Sequence, residues 1–123
     1  VQLVVTNSIT GCSASFTTTI TISGTPTASF TSTAPQCANT SVDFTNTGSS
    51  GSNFTYTWNL GQGATPSVSS AENPTGITYS SAGSKLVTLT VTDGNCSSTT
   101  TQSINISSTP VADFASTAPK CTG

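Results

Sequence analysis

Charge is what this sequence has least of. Two Lys and four Asp or Glu make up 5% of its 123 residues, against about a quarter in an ordinary soluble domain. There is no Arg, no His and no Met. Each absence removes a class of function. A formal net charge of -2 with only two cations leaves no basic patch to neutralise a run of phosphates, so nucleic acid is excluded as a partner, and anionic membrane surfaces with it. Without His, neither a Ser–His–Asp nor a Cys–His arrangement can be assembled. No segment approaches the roughly 20 consecutive apolar residues that span a bilayer, and no charged, hydrophobic leader opens the sequence. With Met absent, position 1 is not expected to be a natural start.

The remaining chemistry is thin. Asp43, Glu72, Asp93 and Asp113 are scattered along the chain, which does not make a carboxylate pair for acid–base work. Asp93 before Gly94 is a turn former. Gly61-Gln62-Gly63 lacks the Lys and the strand-to-helix context of a phosphate-cradling loop. Lys85, beside Ser84 at a strand entrance, is expected to stay solvated, with nothing to activate it. No catalytic residue, cofactor or metal ligand is expected, and an enzyme is the least favoured class. Four Cys with no CxxC pair suit an oxidising compartment better than a zinc site.

What the sequence does have is an echo. Residues 27–37, TASFTSTAPQC, return at 111–121 as VADFASTAPKC. Pro26 and Pro110, Phe30 and Phe114, Cys37 and Cys121, and Cys12 and Cys96 all stand 84 positions apart. Upstream, residues 1–7 match 87–93 with an offset of 86, which puts two extra residues in the first copy's turn. Such periodicity marks tandem architectures. Residues 1–26 are then the C-terminal strands of a preceding repeat, 27–110 a complete repeat of 84 residues, and 111–123 the N-terminal strand of the following one.

Within the complete repeat the hydrophobic period is two. Val87, Leu89 and Val91 alternate with Thr88, Thr90 and Thr92, as on a strand with one buried face, and β-branched Thr suits the other face. The alternation recurs at Val42–Phe44, Phe54–Trp58 and Ile104–Ile106. Turn signals lie between, at Gly48–Gly51, Gly61–Gly63, Asn73-Pro74 and Asp93-Gly94. No apolar run has helical spacing. These features predict an all-β fold, a sandwich of about seven strands, with Phe44, Tyr56, Trp58, Tyr79, Val87, Leu89 and Val91 in its core. Trp58 as a sugar-stacking platform is the weaker reading, since it is in phase with Phe54 and Tyr56.

Trp58-Asn59-Leu60-Gly61-Gln62-Gly63, Asn73-Pro74, Tyr79, Gly83 and Val87 to Asp93 follow one another as in the PKD (polycystic kidney disease) repeat family, and the resemblance spans the complete unit. The family's signature is W-D-F-G-D-G, N-P-x-x-x-Y, a Gly and V-x-L-x-V-x-D. Asn59 and Gln62 stand where it usually carries Asp, so a calcium or surface role of those carboxylates does not carry over. The resemblance implies an immunoglobulin-like β-sandwich serving as a spacer or adhesive module in extracellular proteins. The placement of its cysteines also resembles repeats of very large surface adhesins of gliding bacteria.

Three cysteine pairings are open. Cys37 with Cys96 would close a loop of about 60 residues, on the order of 4 kcal/mol by chain entropy. Against it, the loop after the first strand and the turn after the sixth belong at opposite ends of a sandwich, roughly 17 Å apart, and bonded cysteines need Cα atoms within about 7 Å. Pairing across repeat junctions, with a neighbouring copy, is the alternative. Cys12 with Cys37 and Cys96 with Cys121 would need the connecting segments to fold back. The connectors Ser23-Gly24-Thr25-Pro26 and Ser107-Ser108-Thr109-Pro110 are short and end in Pro, which limits the angles between units.

The sequence therefore points to a spacer or stalk on a bacterial cell surface, part of an adhesin or filament whose partners are neighbouring repeats and lateral copies. Two rivals are a module binding surface glycan or protein through loops at 48–53 or 65–72, and a filament subunit exchanging strands through its ends.

Overall fold

The computed structural model describes residues 1–22, 24–117, 119, 121 and 123. Ser23 of the first connector, and Ala118, Lys120 and Thr122 of the closing segment, lie outside the described residues. Among the described residues every regular element is a strand. β1 (Gln2–Thr6) and β2 (Ser13–Thr17) form a hairpin of their own. Ten strands follow: β3 (Phe30–Ser32), β4 (Gln36–Cys37), β5 (Ser41–Val42), β6 (Phe44–Asn46), β7 (Thr55–Asn59), β8 (Ala64–Thr65), β9 (Val68–Ser69), β10 (Ile77–Tyr79), β11 (Gly83–Thr92) and β12 (Ser97–Ser107).

One layer of the sandwich is a five-stranded sheet in the order β4-β12-β11-β7-β9. The facing layer holds β3 paired with β6, and β10 between β5 and β8. Period-two patterning makes the core. β7 turns Tyr56 and Trp58 inward while Thr55, Thr57 and Asn59 face solvent. β11 does the same with Val87, Leu89 and Val91. From the other layer come Phe30, Val42, Phe44, Ile77 and Tyr79, all buried. Trp58 sits where the layers meet, with its ring centroid 5.1 Å from Phe30 and 5.7 Å from Phe44. These are the tilted and edge-on geometries that aromatic quadrupoles favour.

The outer face of the large sheet is hydroxylic. Thr88 and Thr101 hydroxyls pair across strands at 3.0 Å, and Thr90 and Thr99 at 2.9 Å, so Thr supplies the polar surface that charge supplies elsewhere.

The unit has ten strands rather than seven because three strands are each divided in two, the last of them at Pro66-Ser67 into β8, beside β10, and β9, beside β7. The first is split at Thr33–Pro35: β3 pairs antiparallel with β6, and the chain then crosses to the other sheet as β4, parallel to the end of β12. The second is split at Asp43, whose backbone carbonyl accepts from Thr33 N–H and whose carboxylate accepts from Gly76 N–H at 2.7 Å. Lys85 also departs from expectation. It is 7% exposed, because it occupies the inward phase of β11 two residues before Val87.

Candidate functional site

Residues of the signature that could have carried chemistry are committed to holding loops. Trp58 Nε1–H donates to Ala71 O at 2.8 Å. Asn59 Oδ1 accepts from Gly61 N–H at 3.1 Å, an Asx turn that a neutral amide makes as well as a carboxylate. Asn73 Oδ1 and Pro74 O accept from the N–H groups of Asn46 and Phe44, which tie the loop before β10 to β6. Tyr79 Oη donates to Leu60 O at 2.7 Å, and burial pushes the Tyr79 phenol up to about 12. Gly61 has φ +84°, and a Cβ there would meet the Leu86 carbonyl oxygen at 2.6 Å. Lys85 Nζ donates to Ser81 Oγ at 3.0 Å and lies 6.0 Å from the Tyr79 ring centroid. All seven core candidates, Phe44, Tyr56, Trp58, Tyr79, Val87, Leu89 and Val91, are buried. Among the described residues no group of three or more Cys, Asp or Glu is placed to hold a metal.

What remains are the two poles of the sandwich. At the leading pole the chain arrives from its connector. Pro26 is buried, Thr27 exchanges hydrogen bonds with Ser49 (N–H to Oγ and carbonyl to N–H, both 2.9 Å), and Ala28 N–H reaches Ser98 Oγ at 3.4 Å. Gln102 Nε2 donates to Phe30 O at 2.9 Å. Polar residues of β12 thus hold the incoming strand, a role that the sequence alone did not reveal. Gly48 passes so close to Thr27 that a Cβ would overlap its carbonyl oxygen. Gly24, Asn53, Phe54, Asp93 and Asn95 line an open cleft of about 490 Å³ at this pole. The β11–β12 turn forms its floor: the Asp93 carboxylate accepts from Cys96 N–H at 2.7 Å and Asn95 N–H at 2.9 Å. Those donors, Cys96 first, hold the Asp93 carboxyl below the usual carboxylate range.

At the trailing pole β12 ends beside β4. Ser107 and Cys37 are register partners, and Ala38 N–H donates to Ser107 O at 2.9 Å. Cys37 therefore lies in a strand at this pole, not in a loop, while Cys96 precedes Ser97 at the other end of the same β12. Ten residue steps at about 3.3 Å place the two cysteines roughly 33 Å apart, several times the reach of a disulfide. The pairing of Cys37 with Cys96 inside one unit is thereby excluded. Both are half-buried, and Cys12 and Cys121 are exposed.

The β1–β2 hairpin repeats the geometry of β11–β12. Gln2 faces Thr17 and Thr6 faces Ser13, as Thr88 faces Thr101 and Thr92 faces Ser97. The two additional residues fall in the turn, where Asn7 Oδ1 takes backbone donors as Asp93 does. Only the surroundings differ. Leu3 is 62% exposed and Ile22 90%, whereas their counterparts Leu89 and Ile106 are 0% and 2% exposed. Beyond the unit, Phe114 is 88% exposed and its counterpart Phe30 3%.

The PKD domain family model matches residues 27–106, and no curated protein matches the chain. Domains of that family are immunoglobulin-like modules, typically non-catalytic, and their occurrence in extracellular and surface proteins suggests an extracellular setting. With the signature present through the complete unit, and its residues occupying the turns and core of an all-β sandwich, the chain belongs to the PKD domain family.

Proposed function

We propose that this chain is a stretch of a tandem array that acts as a spacer or stalk in a long exported adhesin or filament of a bacterial cell surface. In this reading residues 1–26 close a preceding copy, 27–110 are one copy, and 111–123 open the next. The observation that carries it is the β1–β2 hairpin: the strand register of β11–β12, with Leu3 and Val5 in the open where Leu89 and Val91 are buried. A hairpin bearing core residues on a bare face is what remains of a sandwich when its other strands are absent. Pro110 and Phe114 are likewise exposed where Pro26 and Phe30 are buried.

Burial of Trp58 and Tyr79 at 0% exposure supports a spacer over a module that stacks sugars on aromatic rings. Strand exchange between chain ends is less well supported. Residues 1–26 and 111–123 supply counterparts of 87–110 and 27–39 only, so a unit assembled from them would lack the counterparts of Phe44, Trp58 and Tyr79. Mechanically, each copy adds a fixed length, and reach grows with copy number. The mass of the natural polypeptide under denaturing, reducing conditions tests this: the array predicts many times 12.3 kDa, and a mass near that value refutes it.

A further inference from the structure

We infer that each junction between copies is locked by a disulfide joining Cys37 of one copy to the Cys96 counterpart of the following copy. The inference rests on the array reading above. It starts from polarity: the two cysteines of a unit sit at opposite poles, one beside the departing strand and one in the turn beside the arriving connector. Head-to-tail stacking therefore brings one of each kind to every junction, and leaves each of the four cysteines of this chain with a partner in a copy beyond it.

The connector fixes how near they come. Gly24 lines the cleft with Asp93 and Asn95, the residues immediately before Cys96. At the 84-residue interval the counterpart of Gly24 is Ser108. Ser108 follows Ser107 directly, and Ser107 is the register partner of Cys37. In the following junction, then, the residue that shares a cleft with the next copy's Asp93-type turn is one step from the residue lying across from Cys37. One strand spacing of about 4.8 Å and one residue step of about 3.3 Å separate Cys37 from that residue, against roughly 33 Å to Cys96 of its own unit. Both thiols are half-buried and open to an oxidant.

The chemistry needs a two-electron oxidant, supplied by the disulfide of an oxidised dithiol oxidoreductase. One cysteine thiolate attacks that disulfide and forms a mixed disulfide, releasing the carrier's other sulfur as a thiolate. The second cysteine, deprotonated, attacks the protein sulfur of the mixed disulfide, and the carrier departs with both its sulfurs reduced. One S–S bond forms, and two protons and two electrons leave the junction.

The test is disulfide mapping of the full-length protein, alkylated with iodoacetamide before unfolding and digested without reduction, with the reduced mass measured on the same sample. Copies differ in sequence, TASFTSTAPQC against VADFASTAPKC, so each peptide can be assigned to its copy. The expected result is a Cys37 peptide joined to the Cys96-type turn peptide of the next copy, and the Cys96 peptide joined to the Cys37 counterpart of the previous one. Each pair is two hydrogens lighter than its separate thiols. Alkylated Cys37 and Cys96, or a bond between Cys37 and Cys96 of one copy, in a polypeptide of many times 12.3 kDa would overturn the bridge and leave the array standing. A reduced mass near 12.3 kDa overturns both.

Discussion

At the scale of single residues, the unit depends on a few side chains that serve burial and hydrogen bonding at once. Trp58 fills the space between layers and also satisfies the Ala71 carbonyl, so Trp58→Ala should cost about 3–5 kcal/mol, read as a lowered urea midpoint. Gly48→Ala should destabilise by about 1–3 kcal/mol, since the added methyl can be relieved only by moving the backbone at Thr27. Tyr79 and Asp93 make stability depend on pH in opposite directions. The Tyr79 phenol is raised by desolvation to about 12 in the folded chain, against 10.0 ordinarily. The unfolded chain therefore loses its proton first, and the contribution of Tyr79 is full below pH 10 and drains away between pH 10 and about 12. Tyr79→Phe should remove that alkaline decline while lowering neutral-pH stability by about 1 kcal/mol for the lost bond to Leu60. Asp93 has the opposite sign. Its folded value is depressed by the Cys96 and Asn95 N–H groups, so its contribution is present above the ordinary carboxylate value and disappears as pH falls through the lower folded one. Asp93→Asn should flatten the acid limb of urea midpoint against pH. Trp58, Gly61 and Tyr79 were readable in the sequence because phase and motif place them. Lys85 could have been read the same way: it shares the phase of Val87, Leu89 and Val91, and its charge hid a pattern that any apolar residue would have shown.

At the scale of elements, strand existence was legible and strand continuity was not. Alternation over Phe54–Trp58 and Val87–Thr92 predicts strands there, and the strands are Thr55–Asn59 and the longer Gly83–Thr92. Nothing in the local pattern says that the chain leaves one sheet after Ser32 and joins the other at Gln36. That crossing follows from which edge of β12 is free, a tertiary matter with no signature in a window of ten residues. It decides the site, because it carries Cys37 to the trailing pole. A seven-strand topology places the two cysteines at opposite ends with Cys37 in a loop; the crossing puts Cys37 in β4, and the length of β12 widens the gap from roughly 17 Å to roughly 33 Å. The leading pole was hidden for a related reason: nothing in the local pattern says that half-buried Ser98 and exposed Gln102 take up backbone groups of Ala28 and Phe30. The β1–β2 hairpin, with five exposed residues in each strand, illustrates how little an element holds by itself, since isolated two-stranded hairpins are marginal in water. A chain beginning at Thr25 should accordingly unfold in one cooperative transition, with a urea midpoint that differs from the full chain by no more than about 0.5 kcal/mol in stability. A larger loss would mean that the hairpin supports the sandwich.

At the scale of the whole molecule, the proposed array makes length the product. Its nearly uncharged copies have few ion pairs to screen, so their stability should change little with salt. In that array the connectors are the weak points, and stiffness there must come either from contacts between poles or from a covalent bond across them. These alternatives differ in what a reducing agent does. A bridge inside a unit would close a loop of about 60 residues, and its reduction would lower unit stability by up to about 4 kcal/mol. A bridge across a junction closes its loop through two copies and leaves each core intact, because Cys37 and Cys96 lie outside the core cluster around Trp58. Reduction of the full-length protein should therefore leave the midpoint for unfolding of the copies almost unchanged, while small-angle scattering shows the radius of gyration falling as the rod bends at its connectors. A fall in the unfolding midpoint with unchanged dimensions would locate the bond inside a copy, and would require β4 to leave the edge of β12.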